Sequence, residues 1–115
     1  MTKITNKTVA MLTNPTSVDG QMTPLFDRII SLSSKYNATV QCFFAPEHGL
    51  RGDQQAGEGD ADYIDPETGI QVYSLYGVRK APLDSQLKGI DIFIYDIQDV
   101  GARYYTYIWT LTYAI

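Results

Sequence analysis

Cysteine and histidine are nearly absent from this chain, which carries one of each, Cys42 and His48. A single cysteine excludes an internal disulfide framework and any cysteine-cluster metal site. A single histidine excludes zinc motifs of the H-E-x-x-H kind. Charge is also sparse, at 19% of residues, and the nine basic side chains are scattered singly. With a net charge of −4 and a pI near 4.7, the chain lacks the clustered Lys and Arg that neutralise nucleic-acid phosphates. No apolar run approaches the roughly 18 residues a membrane span requires. The opening MTKITNKTVAML holds only a short apolar stretch and shows no signal peptide. Nucleotide motifs are missing too. Gly57-Glu58-Gly59 lacks the third glycine and the strand–turn–helix setting of a dinucleotide fingerprint, and the turn TNPTSVDGQ is equally unlike one. There is no P-loop and no G-x-S-x-G elbow.

What is present is a core. The 115 residues, 44% of them hydrophobic, suffice for one domain that buries roughly 65% of its unfolded surface. Thr8–Thr13 (TVAMLT), stopped by Asn14-Pro15, reads as a buried strand. Thr23 is placed as an N-cap with Pro24 at the first helical position, and Leu25, Phe26, Ile29, Ile30 and Leu32 give a helical stripe to about Tyr36. Ala38–Phe44 (ATVQCFF) is β-branched and aromatic and reads as a second strand, with Cys42 an inert core residue. A long loop rich in Gly, Asp and Glu runs from Pro46 to about Gly69. Ile70–Leu75 is a third strand, Pro82–Lys88 a short helix closed by Gly89, and Asp91–Asp96 (DIFIYD) a strand of the parallel-sheet type. Arg103 to Ile115 reads as a helix that is apolar nearly all round.

This order predicts an α/β fold, a Rossmann-like doubly wound and mainly parallel sheet in three layers, incomplete at its C-terminus. The final helix ends on Ala114-Ile115 without a Gly, a basic last turn or a polar face. The chain therefore reads as the front portion of a larger protein, residues 1–115 being a partial N-terminal domain whose C-terminal partner is absent.

Ligands of parallel α/β sheets bind beyond the carboxyl ends of the strands. The first strand delivers Thr13, Asn14 and Thr16 to that rim, the second Glu47, His48 and Arg51, and the last Asp96, Gln98, Asp99 and Arg103. Apolar walls from Phe43, Phe44 and Pro46 suit Glu47 to a raised pKa and a general-acid role; the pattern suits it equally to pinning the loop by pairing with Arg51 or Arg103. His48 is a candidate general base, though a histidine so placed more often hydrogen-bonds a neighbouring loop. The acidic loop carries Asp53, Glu58, Asp60, Asp62, Asp65 and Glu67, but Ile64 breaks the calcium-loop spacing. A solvated acidic loop is the better reading, and no metal or other cofactor is expected. Most aromatics of the last helix are expected in the core, with Tyr104 and Tyr105, nearest the rim, left to stack on sugar.

Three stretches, LTNPTSVD, FFAPEHGLRGDQQAGEGD and YDIQDVGARYYTYIWTL, resemble the bacterial exo-β-N-acetylmuramidases of the NamZ type, also called YbbC-like proteins. The likeness runs from about Thr8 to the end. It implies an N-terminal Rossmann-like domain followed by a second α/β domain, and release of N-acetylmuramic acid from the non-reducing end of peptidoglycan fragments. Members are commonly exported. On this resemblance Glu47 matches the catalytic position. Glycoside hydrolysis asks for a second carboxyl group, for which Asp96 and Asp99 are the candidates in this chain. An arginine pairing bidentately with the lactyl carboxylate would supply specificity, and Arg51 and Arg103 are available. The expected partner is a muropeptide or disaccharide substrate; the competing reading is a truncated, non-catalytic paralogue that binds muropeptides or sugars.

Overall fold

The computed structural model describes residues 2–46, 49–52, 61–77, 80–98 and 107–115. After a 3-10 turn at Thr2–Ile4, the elements are β1 (Thr8–Thr13), α1 (Leu25–Lys35), β2 (Thr39–Ala45), β3 (Tyr63–Ile64), β4 (Gln71–Ser74), α2 (Asp84–Leu87), β5 (Ile92–Asp96) and α3 (Tyr107–Ala114). The five strands form one sheet in the order β3-β4-β2-β1-β5. β4, β2, β1 and β5 are parallel, and β3 pairs antiparallel to β4 at the edge.

Alternation along the strands divides the core between the two sheet faces. Val9, Met11 and Phe43 face α1, where they pack with Phe26, Ile29 and the buried Leu50. Ala10, Leu12, Cys42 and Phe44 face the other way, toward Leu87 of α2 and Ala114 of α3. Helices on both faces of a mainly parallel sheet make the three-layer α/β fold that the sequence pattern predicts. β1 is buried on both faces from Val9 onward, which explains its uninterrupted apolar run. Cys42 is buried, and desolvation pushes its thiol up to about 11, so it is an unreactive core group.

Three local expectations change. Pro24, not Thr23, is the N-cap of α1, and no side chain caps it. The chain reaches the helix through a Val18–Pro24 bridge, so the Leu25 N–H donates to Ser17 O at 2.9 Å and needs no hydroxyl. The loop after β2 contains β3, a two-residue strand too short to show periodicity. The last helix is described from Tyr107, and Trp109 and Tyr113 are half-exposed instead of buried. Gly89 takes φ of 81°, in keeping with the closing position predicted for it after α2.

Candidate functional site at the β1–β5 switch point

The chain builds outward from β1 through β2 to β4 and then returns to place β5 on the opposite side of β1. The strand order therefore reverses between β1 and β5. In open parallel sheets that reversal opens a crevice at the carboxyl ends, where ligands bind. The two strands end in register, Thr13 opposite Asp96.

The residues beyond those ends are stitched together. Asn14 is buried, and its Oδ1 accepts from Thr16 N at 3.1 Å and from Thr16 Oγ1 at 2.6 Å. That is an Asx turn, the local device by which an asparagine replaces backbone pairing where a strand stops. Thr16 Oγ1 in turn accepts from the Gln98 N–H at 3.2 Å. Ser17 is buried and its Oγ donates to Asp96 Oδ2 at 2.5 Å. Two hydrogen bonds thus cross the switch point and tie the β1 loop to the end of β5. Asn14, Asp96 and Gln98, three of the residues read from the sequence, are brought to one rim. Ser17 was missed; its only sequence signal is its place in the TNPTSVD turn, three residues past Asn14.

Further along the turn, Asp19 Oδ1 accepts from the N–H groups of Gln21 and Thr23. Those two donors, more than the nearby Arg28 charge, hold its carboxyl below the usual range.

The segment leaving β2 packs beside this rim. The Gly49 N–H donates to Pro46 O at 3.1 Å. Leu50 is fully buried, and its N–H donates to Tyr63 Oη at 3.4 Å. Gly52 has φ of +71° and lies so close to the β1 loop that a Cβ there would sit 2.9 Å from Pro15 Cγ.

Arg51, between them, is committed within the protein. Its Nε and Nη2 donate to the two oxygens of Asp65, each at 2.8 Å. Nη2 also reaches Asp27 Oδ1 at 3.4 Å, and Nη1 lies 3.1 Å from Glu67 Oε2. The guanidinium stacks 4.7 Å above the Phe26 ring. Asp65 is fully buried and its Oδ2 also accepts from Thr68 N and Thr68 Oγ1. The Arg51 pairing draws the Asp65 carboxyl down to about 2 against the cost of burial, with Thr68 adding to it. Hydrogen bonding to Asp65 raises the Arg51 pKa in return.

This corrects the reading of the loop as merely solvated: Asp65 is a buried anchor, and Asp62 Oδ1 accepts from Ser74 N at 2.9 Å. The Asp-Pro-Glu-Thr-Gly run at 65–69 is a turn signal, but nothing local in it names Arg51 as the partner. Glu47, His48, Asp99, Arg103, Tyr104 and Tyr105 lie outside the described residues.

The family described as exo-beta-N-acetylmuramidase NamZ, N-terminal, matches residues 9–115. The chain belongs to this family. A relative from Bacillus subtilis (strain 168), named peptidoglycan beta-N-acetylmuramidase NamZ, is 44% identical over 113 residues, covering 98% of this chain and 27% of the relative. Two solved structures of DUF1343 family proteins from Bacteroides fragilis NCTC 9343 share the fold. One superposes with a TM-score of 0.80 at 40% identity over 97% of this chain and 27% of its own. The other gives 0.68 at 35% identity, over 95% and 26%. The chain thus spans about 27% of the length of its curated NamZ relative. The family match begins inside β1 and takes in every rim residue named above.

Proposed function

We propose that this chain supplies the N-terminal part of a glycosidase that releases N-acetylmuramic acid from the non-reducing end of peptidoglycan fragments, with a C-terminal domain completing the site. The supporting observation is the 44% identity, across 98% of the chain, with a relative named for that substrate. The switch point supports it independently, because the ends of β1 and β5 gather hydroxyls, amides and a carboxylate at the edge where ligands of parallel sheets bind.

Glu47, two residues past the end of β2, is the general acid, and His48 is its companion base. The second carboxylate is Asp96 or Asp99. Asp96 stands at the rim with one oxygen anchored by Ser17, as a carboxylate must stand to act at a fixed distance from the scissile bond. Asn14, Gln98, Tyr104 and Tyr105 line the substrate side. Of the two arginines considered for the lactyl carboxylate, Arg51 already spends its donors on Asp65, Asp27 and Glu67. Arg103 is therefore our reading for the partner of the lactyl carboxylate.

The test is Glu47→Gln in the protein as the cell makes it, assayed on a chromogenic muramic-acid glycoside. The expected loss is at least about 100-fold in kcat, the scale of general acid catalysis. Near wild-type release removes Glu47 from this role. A wild-type protein that binds the fragments and leaves them uncut is the non-catalytic binder instead.

A further inference from the structure

Asp65 poses a question that the reaction does not answer. It is a fully buried carboxylate in the turn between β3 and β4, six residues before β4 begins, and it takes four hydrogen bonds from Arg51 and Thr68. Buried ion pairs add little net stability over well-packed apolar groups. What such a pair does supply is a fixed geometry, and a bidentate guanidinium–carboxylate pair fixes two planes at once.

The segment so fixed is the one leaving β2. Ala45 is held in the sheet, Leu50 is buried in the α1-facing core, and Arg51 is tied to Asp65 and Asp27. Gly52 is pressed against Pro15 of the β1 loop, which carries the rim residues. Asp27 belongs to α1 and Asp65 to the turn after β3, so Arg51 joins three separate parts of the chain. Both ends of the span from Ala45 to Gly52 are thereby set relative to the crevice, and Glu47 and His48 lie within it in sequence.

We infer that Arg51 and Asp65 are positioning residues: their bidentate pair sets the segment leaving β2, the stretch of sequence that carries the acid Glu47, and so governs the rate of the chemical step. The inference rests on the reading of Glu47 as the acid. It assigns Arg51 a role in the rate of the chemical step and none in recognising the lactyl carboxylate. A displacement near 1 Å at a reacting group costs on the order of 100-fold, so the effect falls on kcat.

The experiment measures kcat and KM for Arg51→Lys, Arg51→Met and Asp65→Asn in the protein as the cell makes it, on a muramic-acid glycoside and on the matching glucosaminide. Glu47→Gln runs in parallel, with circular dichroism and thermal unfolding for every variant. We expect Arg51→Met and Asp65→Asn to lower kcat at least tenfold with KM within twofold on both substrates. Arg51→Lys, which keeps the charge but loses the fork, is expected to recover part of the rate. Folded variants with wild-type kcat overturn the inference. So does a rise in KM confined to the muramic-acid substrate, because that marks Arg51 as a reader of the carboxylate. If Arg51→Met or Asp65→Asn does not fold, the milder Arg51→Lys decides by the same two criteria. Should Glu47→Gln keep full activity, the failure lies in the reading of the acid; should it lose activity while the folded Arg51 and Asp65 variants keep theirs, it lies in the positioning role.

Discussion

Ser17 Oγ donates to Asp96 Oδ2 at 2.5 Å, across the line where the strand order of the sheet reverses. The two residues are 79 positions apart in the chain, and their contact exists only because β5 returns to lie beside β1. It fixes one oxygen of the carboxylate that ends β5 opposite Thr13.

Removing that hydroxyl should cost both order and rate. Ser17→Ala is expected to destabilise the fold by about 1.5–3 kcal/mol, the range for a hydrogen bond to a charged group. If Asp96 serves the reaction, kcat falls as well. Urea unfolding together with turnover checks this; a variant equal to wild type in both would show that the contact does no more than fill space.

Acid should loosen the Arg51–Asp65 clip. The folded-state carboxyl titrates at about 2 against an ordinary 3.8. A depressed pKa contributes stability that is fully present above the unfolded value and is lost as pH falls through the folded one. The window is therefore between about pH 4 and pH 2, and the amount is about 2 kcal/mol. Asp65→Asn is expected to be less stable at neutral pH by about 3 kcal/mol and to lose less of its remaining stability in that window. Unfolding curves at several pH values decide it; parallel pH profiles for the two proteins would remove Asp65 as the cause.

Gly52 tests the seating of the β2-exit segment on the β1 loop. Its φ of +71° disfavours any side chain, and a Cβ would meet Pro15 Cγ at 2.9 Å. Gly52→Ala is expected to cost about 1–3 kcal/mol. Pro15→Ala in the same chain should return the part due to the clash and leave the part due to φ. A double-mutant cycle separates the two, and strict additivity would mean that the loops do not touch.

Helix α3 exposes Trp109 and Tyr113, each about half accessible, beside an almost fully exposed Ile115. The two rings also line a cavity of about 380 Å³ with Leu75, Tyr76, Lys80 and Thr110. Contiguous exposed apolar surface drives association, so the 115-residue chain by itself is expected to self-associate. Trp109→Lys with Tyr113→Lys should suppress this in light scattering. A monodisperse wild-type monomer with cooperative unfolding would contradict the prediction.

Much of the fold follows from local pattern, because the signals are local. The apolar runs TVAMLT and IFIYD, the stop at Asn14-Pro15 and the positive-φ Gly89 each act over a few residues. The parallel order then follows from alternating strands and helices, and with it the rim that gathers Asn14, Asp96 and Gln98. β3 escaped because two residues carry no period. Thr23 misled because a cap is a preference, and the Val18–Pro24 bridge satisfied the helix another way.

Partner choice at long range is what only the tertiary structure decided. From sequence, Arg51 had as good a claim on Glu47 or on a substrate carboxylate as on anything else. Charge attraction has no address in the linear chain, and at Arg51 three carboxylates from α1 and the β3–β4 turn converge. Ser17 and Asp96 likewise meet through topology alone. Residue type and spacing determined which groups this protein brings to the carboxyl edge of its sheet. Folding determined which of them are tied to one another, because packing fixes distances that the sequence leaves open.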